Sequence, residues 1–165
     1  MIELELVGVR VELPANTPIV LLKERAGTRY LPIWIGAVEA TAIAFALQGV
    51  ETPRPMTHDL FVEVMQALGA ELEAVHVTAL EDGTFYAELH VRSGKETFVI
   101  SARPSDAIAL ASRMEDIPIL GAEEVLDEAG LELDREDDPD ADPEDEVRQF
   151  REFLDSVTPE DFMEG

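Results

Sequence analysis

The sequence predicts an α+β domain built on a large antiparallel β-sheet with packed helices, and three observations carry that expectation. Runs of alternating apolar and polar residues are joined by tight-turn signals, of which Asp82-Gly83 and Ser93-Gly94 are the clearest. Segments of helical periodicity stand between and after these runs. Strands and helices also follow one another without the regular β-α-β alternation of a doubly wound sheet.

Taken in order, residues 1–12 alternate as a half-buried strand should, but their apolar parity shifts from Ile2, Leu4 and Leu6 to Val7, Val9 and Val11. A bulge near Gly8 accounts for the shift. PIVLLKE and TRYLPIWI flank a turn at Gly27 and predict a hairpin. VEATAIAFALQ, enclosed by Gly36 and Gly49, is apolar nearly all round, which predicts a helix buried on more than one side. Thr57 is placed to cap a second helix, with Leu60, Phe61, Val64, Met65 and Leu68 as its core stripe and Gly69 as its stop. ELEAVHVTAL, TFYAELHVR and KETFVIS then form a three-stranded meander. SDAIALASR starts the third helix, with Ser105 as a capping residue, and a PIL strand and a short helix from Glu123 to Ala129 follow.

After Asp134 the character changes. The predicted domain spans 1–134, an acidic, proline-spaced linker spans 135–146, and an amphipathic helical segment spans 147–165. Val147, Phe150, Phe153 and Leu154 fall at helical spacing, so this segment either packs back on its own domain or a dimer mate, or is offered to the groove of a protein partner.

The chain of 165 residues is 46% apolar, and no apolar run approaches the roughly 18 residues of a membrane span, so no membrane association is expected. Its start enters directly into I-E-L-E-L without the features of a secretory signal, which predicts a cytoplasmic protein. With no cysteine, disulfides, thiolate metal sites and thiol nucleophiles are excluded, and any metal must sit on oxygen or imidazole. The net charge is −24, of which residues 135–165 contribute −10. Charge-driven affinity for nucleic acid comes from Lys and Arg displacing counterions. Contact with nucleic acid would therefore be weak or transient.

Each of the three principal helices carries an acid in its first turn: Glu39, Asp59 and Asp106. A carboxylate there interacts favourably with the exposed N–H groups by roughly 0.3–1 kcal/mol, which suffices for a purely structural reading. Two of these starts also carry an arginine, Arg54 and Arg103, and His58 adjoins Asp59. Helix N-termini and arginine forks bind phosphate. A carboxylate and a phosphate at one place need a cation between them, and a divalent metal such as Mg²⁺ or Mn²⁺ held by Glu39, Asp59 or Asp106, with His58 as ligand or base, reconciles the pieces. The chain has no Walker loop, G-x-G-x-x-G or H-E-x-x-H motif, and no organic cofactor is expected. His76 and His90 fall within strands and read as structural or exposed.

LPIWIGAVEATAIAFALQG, PRPMTHDLFVEVMQALGAELEAVHV, LEDGTFYAELHV and ARPSDAIALASR, in this order and spacing, resemble the bifunctional nuclease domain family over about residues 1–130. The family occurs in bacteria and plants, with members described as acting on both DNA and RNA. The resemblance implies a compact α+β domain with a large antiparallel sheet, often dimeric, and nuclease activity. The family's polar signature falls on Glu39, Arg54, His58, Asp59, Arg103, Ser105 and Asp106. One position departs: where many relatives read I-D-A-R-P-S-D, this chain has Ser101 in place of the first acid. Some relatives also carry a C-terminal helical motif like that of nucleotide-excision-repair proteins, to which FREFLDSVTPEDF is loosely similar.

The expected function is metal-assisted hydrolysis of phosphodiester bonds in DNA or RNA by a homodimer. Arg54 and Arg103 would hold phosphate with Ser105 beside them, Glu39, Asp59 and Asp106 would hold the metal or orient water, and His58 would act as acid or base. The alternative is a noncatalytic regulatory or interaction module in which the same cluster caps helices and binds an anion.

Overall fold

The computed structural model describes residues 1–12 and 16–132. The acidic linker and amphipathic segment expected over 135–165 lie outside the described residues. In chain order the elements are β1 (Ile2–Glu12), β2 (Thr17–Glu24), β3 (Arg29–Trp34), α1 (Ala37–Leu47), α2 (Thr57–Ala67), β4 (Ala70–Glu81), β5 (Thr84–Ser93), β6 (Glu96–Ala102), α3 (Pro104–Ala111), β7 (Ile119–Gly121), α4 (Glu123–Ala129) and β8 (Leu131–Glu132).

All eight strands join one sheet in the order β6-β5-β4-β7-β1-β2-β3-β8. The β2–β3 hairpin and the β4-β5-β6 meander form as the turn signals predict, β1 also pairs with β2, and all these pairings are antiparallel. The exception is β7, which lies parallel to β4 and antiparallel to β1, so the sheet is mixed. This short strand joins the β1-β2-β3 half to the β4-β5-β6 half. The bulge at Gly8 is present: the register shifts between Leu6 and Gly8, where φ is 153°, a region glycine enters without steric cost. Pro32 pairs across to Leu21, while the short β8 reaches only Arg29 and Tyr30 on the other side of β3. Its missing N–H therefore costs no ladder bond there.

Helix α4 packs against both β3 and β4, although three strands separate these two in the sheet, so the sheet curls around that helix. Arg29 fixes the closure, with Nε 3.0 Å from Glu24, Nη1 2.8 Å from Asp127 and Nη2 3.0 Å from Glu123. Gly130 ends α4 where a Cβ would lie 2.2 Å from the Leu126 carbonyl oxygen, a position closed to any other residue without movement of the backbone. The main core gathers Leu22, Leu31 and Ile33 from the first hairpin, Val75, Val77 and Leu89 from the meander, and Ile43, Ile108 and Leu126 from the helices.

Two helices differ from their sequence expectation. Helix α1 buries one face, through Ala40, Ala42 and Ile43, while Val38 is 80% exposed. Helix α2 buries Val62 and Met65, and turns Leu60, Phe61, Val64 and Leu68 to solvent. The helix is rotated so that the row His58, Val62, Met65 faces inward, the i, i+4, i+7 line of a helical face.

Candidate functional site

Helix α3 starts where β6 ends, and the turn between them places Arg103 at the N-cap and Pro104 at the first helical position. Ser105 is therefore not the cap. It is one residue further in, buried at 6% exposure. Arg103 forms a fork on Asp106, with Nε 2.7 Å from Oδ2 and Nη2 3.1 Å from Oδ1, and its Nη1 reaches Glu39 of α1 at 2.9 Å. The Glu39 side chain folds back over Gly36, where a Cβ would lie 2.1 Å from its Oε2. From α2, His58 Nε2 comes within 3.0 Å of Asp106 Oδ1. A continuous polar chain, Glu39 to Arg103 to Asp106 to His58, thus ties three helices together.

Asp59 takes a different direction. Its Oδ2 accepts from the Met56 backbone N–H at 3.0 Å, and its Oδ1 accepts from Arg113 Nε at 2.6 Å. The residue capping α2 is Met56 rather than Thr57, and Asp59 supplies the side-chain bond at this helix start. Arg113 is the residue that the sequence reading missed, because only the fold brings it, 54 positions away, to α2. Arg54 lies exposed in the segment before α2 and enters no ion pair with the described residues.

The electrostatics follow from these contacts. Burial pushes the Asp106 carboxyl up, but the hydrogen bonds from Arg103 and His58 outweigh it and hold the group below its ordinary value. Arg113 does the same for Asp59 against a smaller burial effect. An ionised Asp106 only accepts, so the His58 Nε2 facing it carries the proton and Nδ1 is left as the second ring nitrogen. Arg103 remains 64% exposed while bonded to both carboxylates, so its outer edge can meet an anion.

A second polar group lies on the other side of the sheet. His76 of β4 pairs directly with Glu88 of β5, and His90 is two residues beyond Glu88 on the same face. Their ligand atoms all lie within 4.8 Å of one another, an arrangement able to hold a metal ion. Burial, and then the neighbouring His90, hold the His76 imidazole below its ordinary value. In sequence these histidines carried no signal beyond their strand parity. Ser101, the departing position, lies opposite Glu88 in β6 and outside the helix-terminal network.

A family model described as the bifunctional nuclease domain matches residues 20–134. The chain belongs to the bifunctional nuclease domain family. An uncharacterized protein of Mycobacterium tuberculosis is 51% identical over 163 residues, covering 97% of both chains. Bifunctional nuclease 1 of Arabidopsis thaliana is 31% identical over 109 residues, which are 64% of this chain and 33% of the plant protein. Bifunctional nuclease 1 of Oryza sativa subsp. japonica is 28% identical over 104 residues, 61% of this chain and 31% of the relative. The matched residues run from within β2 through β8 and include all four helices. Among the described residues, no helix is long and apolar enough to cross a membrane.

Proposed function

We propose that this chain hydrolyses phosphodiester bonds in nucleic acid at the network formed by Glu39, His58, Arg103 and Asp106. The observation that carries the reading is the 3.0 Å bond from His58 to Asp106 beside the exposed Arg103, in a chain of the bifunctional nuclease domain family. Asp106 orients the imidazole and compensates the charge it gains, as a carboxylate does for a histidine base. His58 Nδ1 takes a proton from the attacking water. Arg103, anchored by Glu39, and the exposed Arg54 hold the phosphate, and buried Ser105 supports the first turn of α3.

Metal dependence is the finer part of this reading. In the structure Asp59 and Asp106 use both oxygens on N–H donors and Glu39 uses one on Arg103, so a cation at these three carboxylates would compete with the guanidinium groups for them. The steps above are carried by the side chains alone and use no Mg²⁺ or Mn²⁺. The test is cleavage of labelled single- and double-stranded DNA and RNA by the full chain, with Mg²⁺, Mn²⁺ or chelator. We expect cleavage that Asp106→Asn removes. Cleavage of no substrate under any condition would overturn the reading.

The second reading, a noncatalytic regulatory module, is favoured by the internal bonding of the same residues: Glu39, Arg103, Asp106 and His58 already form a latch between α1, α2 and α3. A homodimer belongs to either reading. Helix α2 turns Leu60, Phe61, Val64 and Leu68 outward, and the edge strand β6 turns Phe98, Val99 and Ile100 outward, patches of the kind that mark interaction surfaces. Light scattering should give a dimer that Phe61→Asp or Phe98→Asp dissociates, and a monomeric parent chain would refute it.

A further inference from the structure

The group His76, Glu88 and His90 has a feature that ordinary strand packing leaves unexplained. His90 Nε2 is buried and makes no hydrogen bond, although Glu88 Oε2 stands 3.5 Å away. Were Nε2 protonated, that carboxylate would be a ready acceptor, and a bond near 2.9 Å would be expected. Without a proton, a nitrogen lone pair lies close to a carboxylate oxygen with nothing between them, an electrostatically unfavourable contact. The two imidazoles add to the problem, with ring centroids 3.8 Å apart at 32°, so that protonating both would set two cations in contact. A cation shared by all three side chains removes each difficulty, since imidazole lone pairs and a carboxylate oxygen are its natural ligands.

The scaffold is suited to such a role. His76 and Glu88 are direct cross-strand partners, Glu88 and His90 share a face by the two-residue period, and Val75, Val77, Ala87, Leu89 and Val91 on the other face are anchored in the core. The three donors are therefore fixed by two central strands instead of by loops. Their partial exposure leaves room for water to complete the coordination.

We propose that His76, Glu88 and His90 form a binding site for a first-row divalent transition metal of the zinc class, with an open coordination position. Two imidazoles and one carboxylate make an N₂O set, which selects zinc-like ions over Mg²⁺ and Ca²⁺, since these prefer oxygen donors. The site is separate from the helix-terminal network, because it occupies the opposite face of the same sheet. It does not depend on the chain being a nuclease.

The test is calorimetric titration of the full chain with Zn²⁺ after chelator treatment, in excess Mg²⁺ to occupy exposed carboxylates. One tight equivalent is expected. His76→Gln and His90→Gln should each weaken it by about 100-fold, the upper range seen even for residues that only support metal ligands, while Asp106→Asn should leave it unchanged. Glu88→Gln serves as a gentler third variant, and circular dichroism confirms that each remains folded. Co²⁺ bound to the parent chain should show d–d bands that His90→Gln abolishes. Equal Zn²⁺ affinity in the parent and all three variants, or no saturable binding in the parent, would overturn the proposal and leave a stacked histidine pair.

Discussion

Strands β4 and β5 separate two polar clusters that solve the problem of charge in opposite ways. On the helix face, Glu39, Asp59 and Asp106 are met by Arg103, Arg113 and His58, and Asp59 and Asp106 accept on both oxygens. On the open face, His76, Glu88 and His90 bring three acceptor-capable groups together, and His90 Nε2 is buried and makes no hydrogen bond. One cluster pairs its carboxylates with cationic partners, whereas the other leaves a buried imidazole nitrogen without a hydrogen bond. The contrast teaches that helix-start acids can be met by arginines that only the fold brings to them, whereas strand register can set two histidines and a glutamate side by side with no arginine among them.

The largest test of this contrast lies in the helix-face cluster. Asp106→Asn keeps the shape and removes the charge, and should lower phosphodiester cleavage by at least about 100-fold, the low end of what a positioned acid–base system contributes. Its cost in stability should be about 1 kcal/mol, because Arg103 stays solvated. Denaturant unfolding measured beside the cleavage assay separates the two effects, and a variant that unfolds would make Asp106 chiefly structural.

The open-face cluster can be sharpened by adding a ligand. Ser101 lies directly across from Glu88, so Ser101→Asp places a second carboxylate at the rim and should tighten Zn²⁺ by about tenfold. An unchanged dissociation constant would place the open position elsewhere. A weaker effect should follow from removing residues 135–165, which carry −10 of the −24 charge. Truncation after Asp134 should strengthen oligonucleotide binding by about threefold at low salt and not at high salt, as screening shortens the reach of exposed charges. Matched salt titrations of both chains would show it.

The smallest effect concerns acid stability. Arg113 holds the Asp59 carboxyl below its ordinary value of 3.8, so its contribution is present above that pH and is lost as pH falls through the lower folded-state value. The difference in urea midpoint between the parent chain and Asp59→Asn should therefore be constant from pH 7 to 5 and close below pH 4. A difference that persists at pH 2.5 would mean that Asp59 acts through shape rather than charge.

The strands and turns were legible because their signals are local. Alternation in residues 1–12 located the Gly8 bulge, and Asp82-Gly83 located the β4–β5 turn, since period and turn chemistry are written in neighbouring residues. Glu39, His58, Arg103 and Asp106 were legible as candidates because each sits at a helix start, and the fold links all four. The facing of α2 was not. Leu60, Phe61, Val64 and Leu68 form as good an apolar stripe as His58, Val62 and Met65, and the choice between them depends on what α3 presents, namely Asp106 to His58.

By itself, then, the sequence determined the α+β class, the order of the elements, the bifunctional nuclease family motifs and the acids at the helix starts, all of which depend on contacts within a few positions. Tertiary structure decided the parallel β4–β7 junction, the pairing of Arg113 with Asp59 and the meeting of His76, Glu88 and His90. Each of these joins residues 12 to 54 positions apart, and their meeting is set by strand register and helix rotation, which the buried core imposes on the whole domain at once.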